Sequence, residues 1–336
     1  MVIYMFKPTR IYYEENIVNY PLGQELLEKY KDVPKVIIDS HNSIKELQNN
    51  SNDKFVSMKK YLIIGTRKTH KYTPNFKTSD YIVPFTSSGC SAFCLYCYLV
   101  CNYNKCSYLR LFVNRDEILN KLIKISNKSD KELTFEIGSN SDLLLENTIT
   151  NNLEYIINRF VKEGRGFLTF PTKFSYVDSI LNLDHKGRII VRMSVNPDEI
   201  IKTIEFGTSP LKQRVDAINK LCDKGYKVGI IIAPVILVHN YKELYKELFT
   251  YLNDKLSLKA KESIFIEIIF MTYSYIHRVI NADAFPKSID LYDKQIMTAR
   301  GRGKYTYNTK AREEATTFLL SELEKYFKKE KIIYIV

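Results

Sequence analysis

No run of apolar residues in this 336-residue sequence is long enough to cross a bilayer as a helix, so a membrane-spanning protein is not expected. A secretory leader is not expected either. The opening Met1-Val2-Ile3-Tyr4-Met5-Phe6 run is broken by Lys7-Pro8, and no small-residue cleavage site follows, which points to a cytoplasmic protein. There is no internal repeat and no Pro- or Gly-rich linker, which speaks against a repeat array or a string of separable modules. Histidine is scarce: the five, at positions 41, 70, 185, 239 and 277, lie far from the cysteines, so a mixed Cys/His zinc finger has no local support. Acidic residues are in deficit, with Lys and Arg at 50 against Asp and Glu at 38, a net charge of +12. That balance favours a polyanionic partner such as nucleic acid, the plain alternative being a solvated Lys-rich surface.

What is present is a core and a metal motif. With 45% hydrophobic residues the chain can bury a full core without disulfide staples. Its six cysteines are at 90, 94, 97, 101, 106 and 222, five of them within seventeen residues. A disulfide framework spreads its cysteines, whereas such crowding indicates a metal site in a reducing compartment.

From residue 81 onward, short apolar runs alternate with longer amphipathic ones, the pattern of βα units and a parallel sheet. Strands are expected at 81–85, 133–137, 167–170, 189–195, 228–233 and 264–269, with helices at 116–125, 151–162, 210–224 and 241–255. Six units predict a partial (β/α)6 barrel in the α/β class, with its chemistry at the carboxyl ends of the strands. We divide the chain into an N-terminal α/β extension (1–80), the barrel (81–275) and a C-terminal segment with a basic hairpin and a helix (276–336). In the extension a helix is expected at 23–31 and strands at 36–38 and 61–64, while a helix at 310–329 and an apolar run at 332–336 close the chain.

Cys90, Cys94 and Cys97 follow the first barrel strand, in the three-then-two spacing that wraps three thiolates around a 4Fe-4S cluster and leaves one iron open. An open iron can chelate the amino and carboxylate groups of S-adenosylmethionine, so the motif reads as that of a radical S-adenosylmethionine enzyme. Cys94, Cys97, Cys101 and Cys106 also offer a four-thiolate zinc site as the competing reading.

The sequence resembles the spore photoproduct lyase family over nearly its whole length. The resemblance is carried by Tyr20-Pro21-Leu22-Gly23-Gln24-Glu25-Leu26, Ser40-His41-Asn42, Ile64-Gly65-Thr66-Arg67-Lys68-Thr69 and Cys94-Leu95-Tyr96-Cys97-Tyr98-Leu99. Thr172-Lys173-Phe174, Ser194-Val195-Asn196, Gly207-Thr208-Ser209-Pro210-Leu211 with Arg214, Ala233-Pro234 and Gly303-Lys304-Tyr305 continue it. The resemblance implies a radical S-adenosylmethionine lyase that repairs a thymine lesion in DNA through a 5'-deoxyadenosyl radical, fed by a one-electron reductant such as flavodoxin or ferredoxin. It also implies that Tyr96 and Tyr98 return hydrogen to the cofactor, and that Ser141 and Lys173 lie near S-adenosylmethionine. Ser194, Asn196 and Ala233, at strand ends on the same rim, are further candidates for that site.

Two departures stand out. The family pattern Phe-Glu-x-x-Cys-x-Ser-Asp appears as Phe135-Glu136-Ile137-Gly138-Ser139-Asn140-Ser141-Asp142, with Ser139 at the hydrogen-donor cysteine. A serine O–H bond is too strong to give hydrogen to an allylic radical, so another thiol such as Cys101 replaces it, or the product radical ends differently, or the substrate differs. The other departure concerns the lesion-binding region. The hairpin keeps the charge of Arg300, Arg302 and Lys304 beside Tyr305, but not the family's aromatic wedge. With 67–72, this basic stretch is the candidate DNA contact. Alternative functions are a divergent radical enzyme with another substrate, or a cluster-containing DNA-binding protein without catalysis.

Overall fold

The computed structural model describes residues 6–102 and 108–336; Cys106 and the side chain of Cys101, with the zinc reading that depends on them, lie outside this description. The chain forms two compact units. One comprises residues 1–91, 102–172 and 176–190, and the other 92–101, 173–175 and 191–336.

The first unit opens with a five-stranded sheet in the order Lys35–Ile38, Arg10–Glu14, Tyr61–Gly65, Leu109–Phe112, Ser87–Ser88. Only the last pair is antiparallel. Ile11, Leu62, Ile64, Leu109 and Leu111 pack there against Ile17, Leu22 and Leu26. The helix Pro21–Lys29 begins with proline in its first turn, where a missing N–H costs nothing and the fixed φ suits the helix.

The same unit carries the first three barrel strands, Tyr81–Val83, Thr134–Ile137 and Phe167–Thr172, paired in parallel. The helices Arg115–Lys128, Leu143–Thr150 and Asn152–Glu163 follow the βα alternation. Asp142 caps Leu143–Thr150 by accepting from the N–H groups of Leu144 and Leu145, and the Thr172 hydroxyl donates to the same carboxylate at 2.9 Å. The cap therefore ties the end of one barrel strand to the start of a helix that follows another.

In the second unit Lys227–Val235 pairs in parallel with Phe265–Phe270, which pairs in parallel with Ile332–Ile335. The closing apolar run is thus a strand of the sheet, not a loose tail. With Ile189–Val195, all six expected barrel strands are present within two residues of their expected ends. Because parallel strands are covered on both faces, they are written as unbroken apolar runs that stand out in a sequence. The helix Thr309–Leu323, capped by Asn308, buries Ala315, Leu319 and Leu323 at four-residue spacing.

The expected basic hairpin is also present: Met297–Gly301 and Lys304–Tyr307 are antiparallel, with Thr272–Ser274 as a third strand. Among the described residues no helix is long and apolar enough to cross a membrane.

Candidate active site

In the first unit, the turn that presents Cys90 is set by Gly89, whose φ is +81°. A Cβ there would overlap the carbonyl oxygen of Tyr108, so only glycine fits. Gly89 N–H donates to the Asn140 carbonyl at 2.7 Å, and the buried Lys59 ammonium donates to the Cys90 carbonyl. Ser141 lies alongside as the bridge partner of Gly89 and accepts a hydrogen bond from Ser87 Oγ at 2.7 Å. Segments 87–90 and 138–142 therefore run together, and Ser139 and Ser141 belong to the neighbourhood of Cys90. Ser139 Oγ donates to Glu136 Oε1 at 2.6 Å, a short, charge-assisted bond.

In the second unit, Phe93–Cys94 forms a two-residue strand antiparallel to Glu205–Phe206, with Glu205 opposite Cys94. Leu95 N–H donates to the Ile204 carbonyl at 3.0 Å, and Asn281 Nδ2 to the Leu95 carbonyl at 2.7 Å. Cys97 N–H donates back to the Cys94 carbonyl at 3.1 Å, which closes the tight turn between these two thiols. Cys94 is buried while Cys90 and Cys97 are partly exposed, and each would bind a metal as its thiolate.

Among the described residues no three Cys, His, Asp or Glu side chains close on a point where a single ion would bind. A cuboidal cluster sets a different requirement: its thiolates bind separate irons and need not converge on one position. Three cysteines so closely spaced in sequence fit such a group by donor type and number.

The centre of this unit is a residue that sequence reasoning missed, Glu205. Its side chain is fully buried, and Tyr96 Oη donates to it, as do Asn196 Nδ2 at 2.9 Å and Arg214 Nη2 at 2.7 Å. Lys173 Nζ forms an ion pair with it at 3.1 Å. Burial alone would raise the carboxyl pKa, but Lys173 and Arg214 outweigh it and hold Glu205 at about 2. Tyr96 shifts the other way: burial, then the nearby charges of Glu205 and Cys94, push its hydroxyl well above the ordinary range.

Lys173 Nζ also donates to Ser194 Oγ at 2.5 Å and to the Ala233 carbonyl at 2.7 Å, and Ser194 Oγ donates to that carbonyl at 2.9 Å. Tyr245 donates to Asn196 Oδ1 at 3.2 Å. Lys173, Ser194, Asn196 and Ala233, which the sequence assigns to one rim, are thus joined in one network with Tyr96. Arg214 is fully buried, donates to Ser194 and Ser209 carbonyls and cancels the charge of Glu205. Lys173 stands at the more exposed edge of the group, its side chain 21% accessible against 0% for Glu205. The only local sign of Glu205 is a lone acid between Ile204 and Phe206, which reads as an ordinary surface position.

Tyr98 is 54% exposed. Arg300, Arg302 and Lys304 are exposed on the hairpin, whereas Tyr305 is half-buried against Tyr292, with ring centroids 4.6 Å apart. The other basic stretch is largely structural at its start. Arg67 donates to the Phe85 carbonyl at 2.7 Å and lies 4.0 Å from the Phe112 ring centroid, so its charge is spent within the fold.

The family model for spore photoproduct lyase matches residues 6–336. Spore photoproduct lyase of Bacillus subtilis (strain 168) is 32% identical over 98% of both chains. That of Clostridium acetobutylicum is 29% identical over 97% of this chain and 98% of its own. A solved spore photoproduct lyase complexed with dinucleoside spore photoproduct superimposes with a TM-score of 0.89 at 28% identity, covering 99% of this chain and 100% of the other. A cysteine-to-serine mutant of spore photoproduct lyase matches equally well, with a TM-score of 0.89 at 28% identity over 99% and 100% of the two chains. With the family model matched over residues 6–336 and a relative 32% identical over 98% of both chains, the chain belongs to the spore photoproduct lyase family.

Proposed function

We propose that this chain is a radical S-adenosylmethionine lyase that cleaves the spore photoproduct, a thymine lesion, in DNA. The observation that carries the reading is the Glu205-centred network, which gathers the cofactor-side residues and Tyr96 behind the Cys94-to-Cys97 turn.

Cys90, Cys94 and Cys97 would hold a 4Fe-4S cluster. When bound together, the cluster and S-adenosylmethionine supply a 5'-deoxyadenosyl radical able to abstract hydrogen from carbon. Lys173, at the more exposed edge of the network, attracts the carboxylate of the methionine moiety, with Ser194 and Asn196 held in the same network. The Ala233 carbonyl fixes the Lys173 ammonium in place. Tyr96 holds its phenolic hydrogen on the Glu205 carboxylate, which fixes the orientation of the ring beside the Cys94-to-Cys97 turn. Tyr98 is the exposed partner through which hydrogen enters or leaves the site.

Ser139 keeps its hydroxyl directed at Glu136 and gives no hydrogen atom to a carbon radical. Hydrogen would therefore not return to the adenosyl group through residue 139; S-adenosylmethionine would be spent as methionine and 5'-deoxyadenosine, and the thymine radical left on the lesion would be closed by one electron from the external reductant and one proton from solvent. Arg300, Arg302 and Lys304 contact phosphates, so affinity for DNA falls as salt rises. A small low-potential electron carrier, such as flavodoxin or ferredoxin, supplies the electron in a reducing cytoplasm.

The test is anaerobic reconstitution with dithionite, S-adenosylmethionine and dinucleoside spore photoproduct. Formation of 5'-deoxyadenosine together with restored thymines supports the proposal. Formation of 5'-deoxyadenosine without lesion loss assigns another substrate, and formation of neither removes the catalytic reading.

A further inference from the structure

Lys59 is the only buried lysine among the described residues, 1% exposed, while its neighbour Lys60 is exposed. Local structure forces the difference. Phe55–Met58 is a single turn of helix, closed by Lys59, whose N–H donates to the Phe55 carbonyl at 3.1 Å. Phe55 and Met58 are both buried, and Lys59, four residues after Phe55, falls on the same face of the turn. Its stem therefore runs inward, with Nζ 5.8 Å from the Phe55 ring centroid. The Lys60 carbonyl accepts from Thr9 N–H at 3.0 Å, which ties the turn to the chain just before the strand Arg10–Glu14.

Taking an ammonium out of water is costly, and lysines are almost never fully buried unless their donors are used. Here Nζ donates to the carbonyl oxygen of Cys90. Within the first unit the two residues Gly89 and Cys90 are thus held at both ends, the Gly89 N–H by the Asn140 carbonyl at 2.7 Å and the Cys90 carbonyl by Lys59. A backbone carbonyl is satisfied equally well by a neutral N–H or by water, so the hydrogen bond alone does not call for a buried cation. What a cation adds at that point is an electric field on the ligand.

We infer that Lys59 positions Cys90 through its hydrogen bond and, through its charge, raises the reduction potential of the cluster that Cys90 would hold. The inference rests on the cluster reading above. Reduction places a further negative charge on a group already bound by thiolates, so a fixed cation beside one ligand, in an interior of low dielectric, favours the reduced form. That form is the one an external carrier has to generate before any radical is made. Lys59 acts through Cys90 and is a positioning residue, not a catalytic one.

The test compares the full-length parent with Lys59→Gln, Lys59→Met and Lys59→Arg after anaerobic reconstitution. Iron content is measured, and the midpoint potential is read by redox titration followed by electron paramagnetic resonance. Lys59→Gln, polar but uncharged, is expected to bind iron like the parent while its reduction equilibrium falls roughly tenfold, a shift of about 59 mV to lower potential for one electron. Lys59→Met shows the same shift with less iron, because it also lacks a donor for the Cys90 carbonyl. Lys59→Arg, which keeps charge and donor, stays near the parent potential. An uncharged variant that carries the cluster at the parent potential overturns the inference. A shift in Lys59→Arg as large as that in Lys59→Gln assigns the change to repacking and overturns it too. Iron lost from Lys59→Gln and Lys59→Met alike gives Lys59 a structural role only, which again overturns it. A parent that forms no cluster refutes the radical reading itself, and this inference with it.

Discussion

Replacing Glu205 with glutamine keeps the shape of the side chain and removes its charge. In the parent protein four groups converge on that carboxylate: Tyr96, Asn196, Lys173 and Arg214. Its pKa is held at about 2, against an ordinary 4.5. A depression of this size corresponds to roughly 3 kcal/mol of native-state stability at neutral pH. Loss of one member of a buried ion pair costs about 3–5 kcal/mol, which agrees in size. The sign follows from the direction of the shift. A depressed carboxyl pKa stabilises fully above 4.5, and that contribution is lost as pH falls toward 2. Urea unfolding of the anaerobic apoprotein, followed by tyrosine fluorescence, should show Glu205→Gln less stable by about 3 kcal/mol at pH 7. The absence of tryptophan leaves the tyrosine signal unobscured. The gap between the two proteins should close progressively below pH 4.5. Equal stability at pH 7, or a gap unchanged down to the acid end, would refute the role given to Glu205.

Two further variants probe other parts of the site. Ser139→Cys supplies a weak S–H bond at the donor position, and should raise lesion repair at least about tenfold, with less 5'-deoxyadenosine formed per lesion repaired. Chromatographic quantification of both products checks this, and an unchanged ratio would mean that residue 139 does not meet the product radical. Gly89→Ala forces a Cβ into the Tyr108 carbonyl at a φ of +81°, so it should abolish iron incorporation while circular dichroism stays close to the parent's. Normal iron content in that variant would show that the turn before Cys90 can relax.

Much of the fold was legible because buried parallel strands leave an unmistakable trace. Ile189–Val195 is the clearest case, an apolar run interrupted only by Arg192 and Ser194. Arg10–Glu14 and Leu109–Phe112 escaped notice: the first begins and ends on charge, and the second is short and includes Arg110. Leu143–Thr150 was missed for the opposite reason, since it is buried nearly all round and lacks an amphipathic period.

The thiol motif and the strand-end polar residues could be read because spacing and position define them. Glu205 could not. Its importance arises only when Tyr96, Lys173, Asn196 and Arg214, from separate elements, close around it, and no local pattern encodes that closure.

The decisive measurement is electron paramagnetic resonance of the anaerobically reconstituted, dithionite-reduced protein, with and without S-adenosylmethionine. Three thiolates leaving an open iron require a reduced 4Fe-4S signal that changes when S-adenosylmethionine is added, and that disappears in Cys90→Ala, Cys94→Ala and Cys97→Ala. A signal indifferent to S-adenosylmethionine, or bound zinc with no cluster signal, would contradict that chemistry.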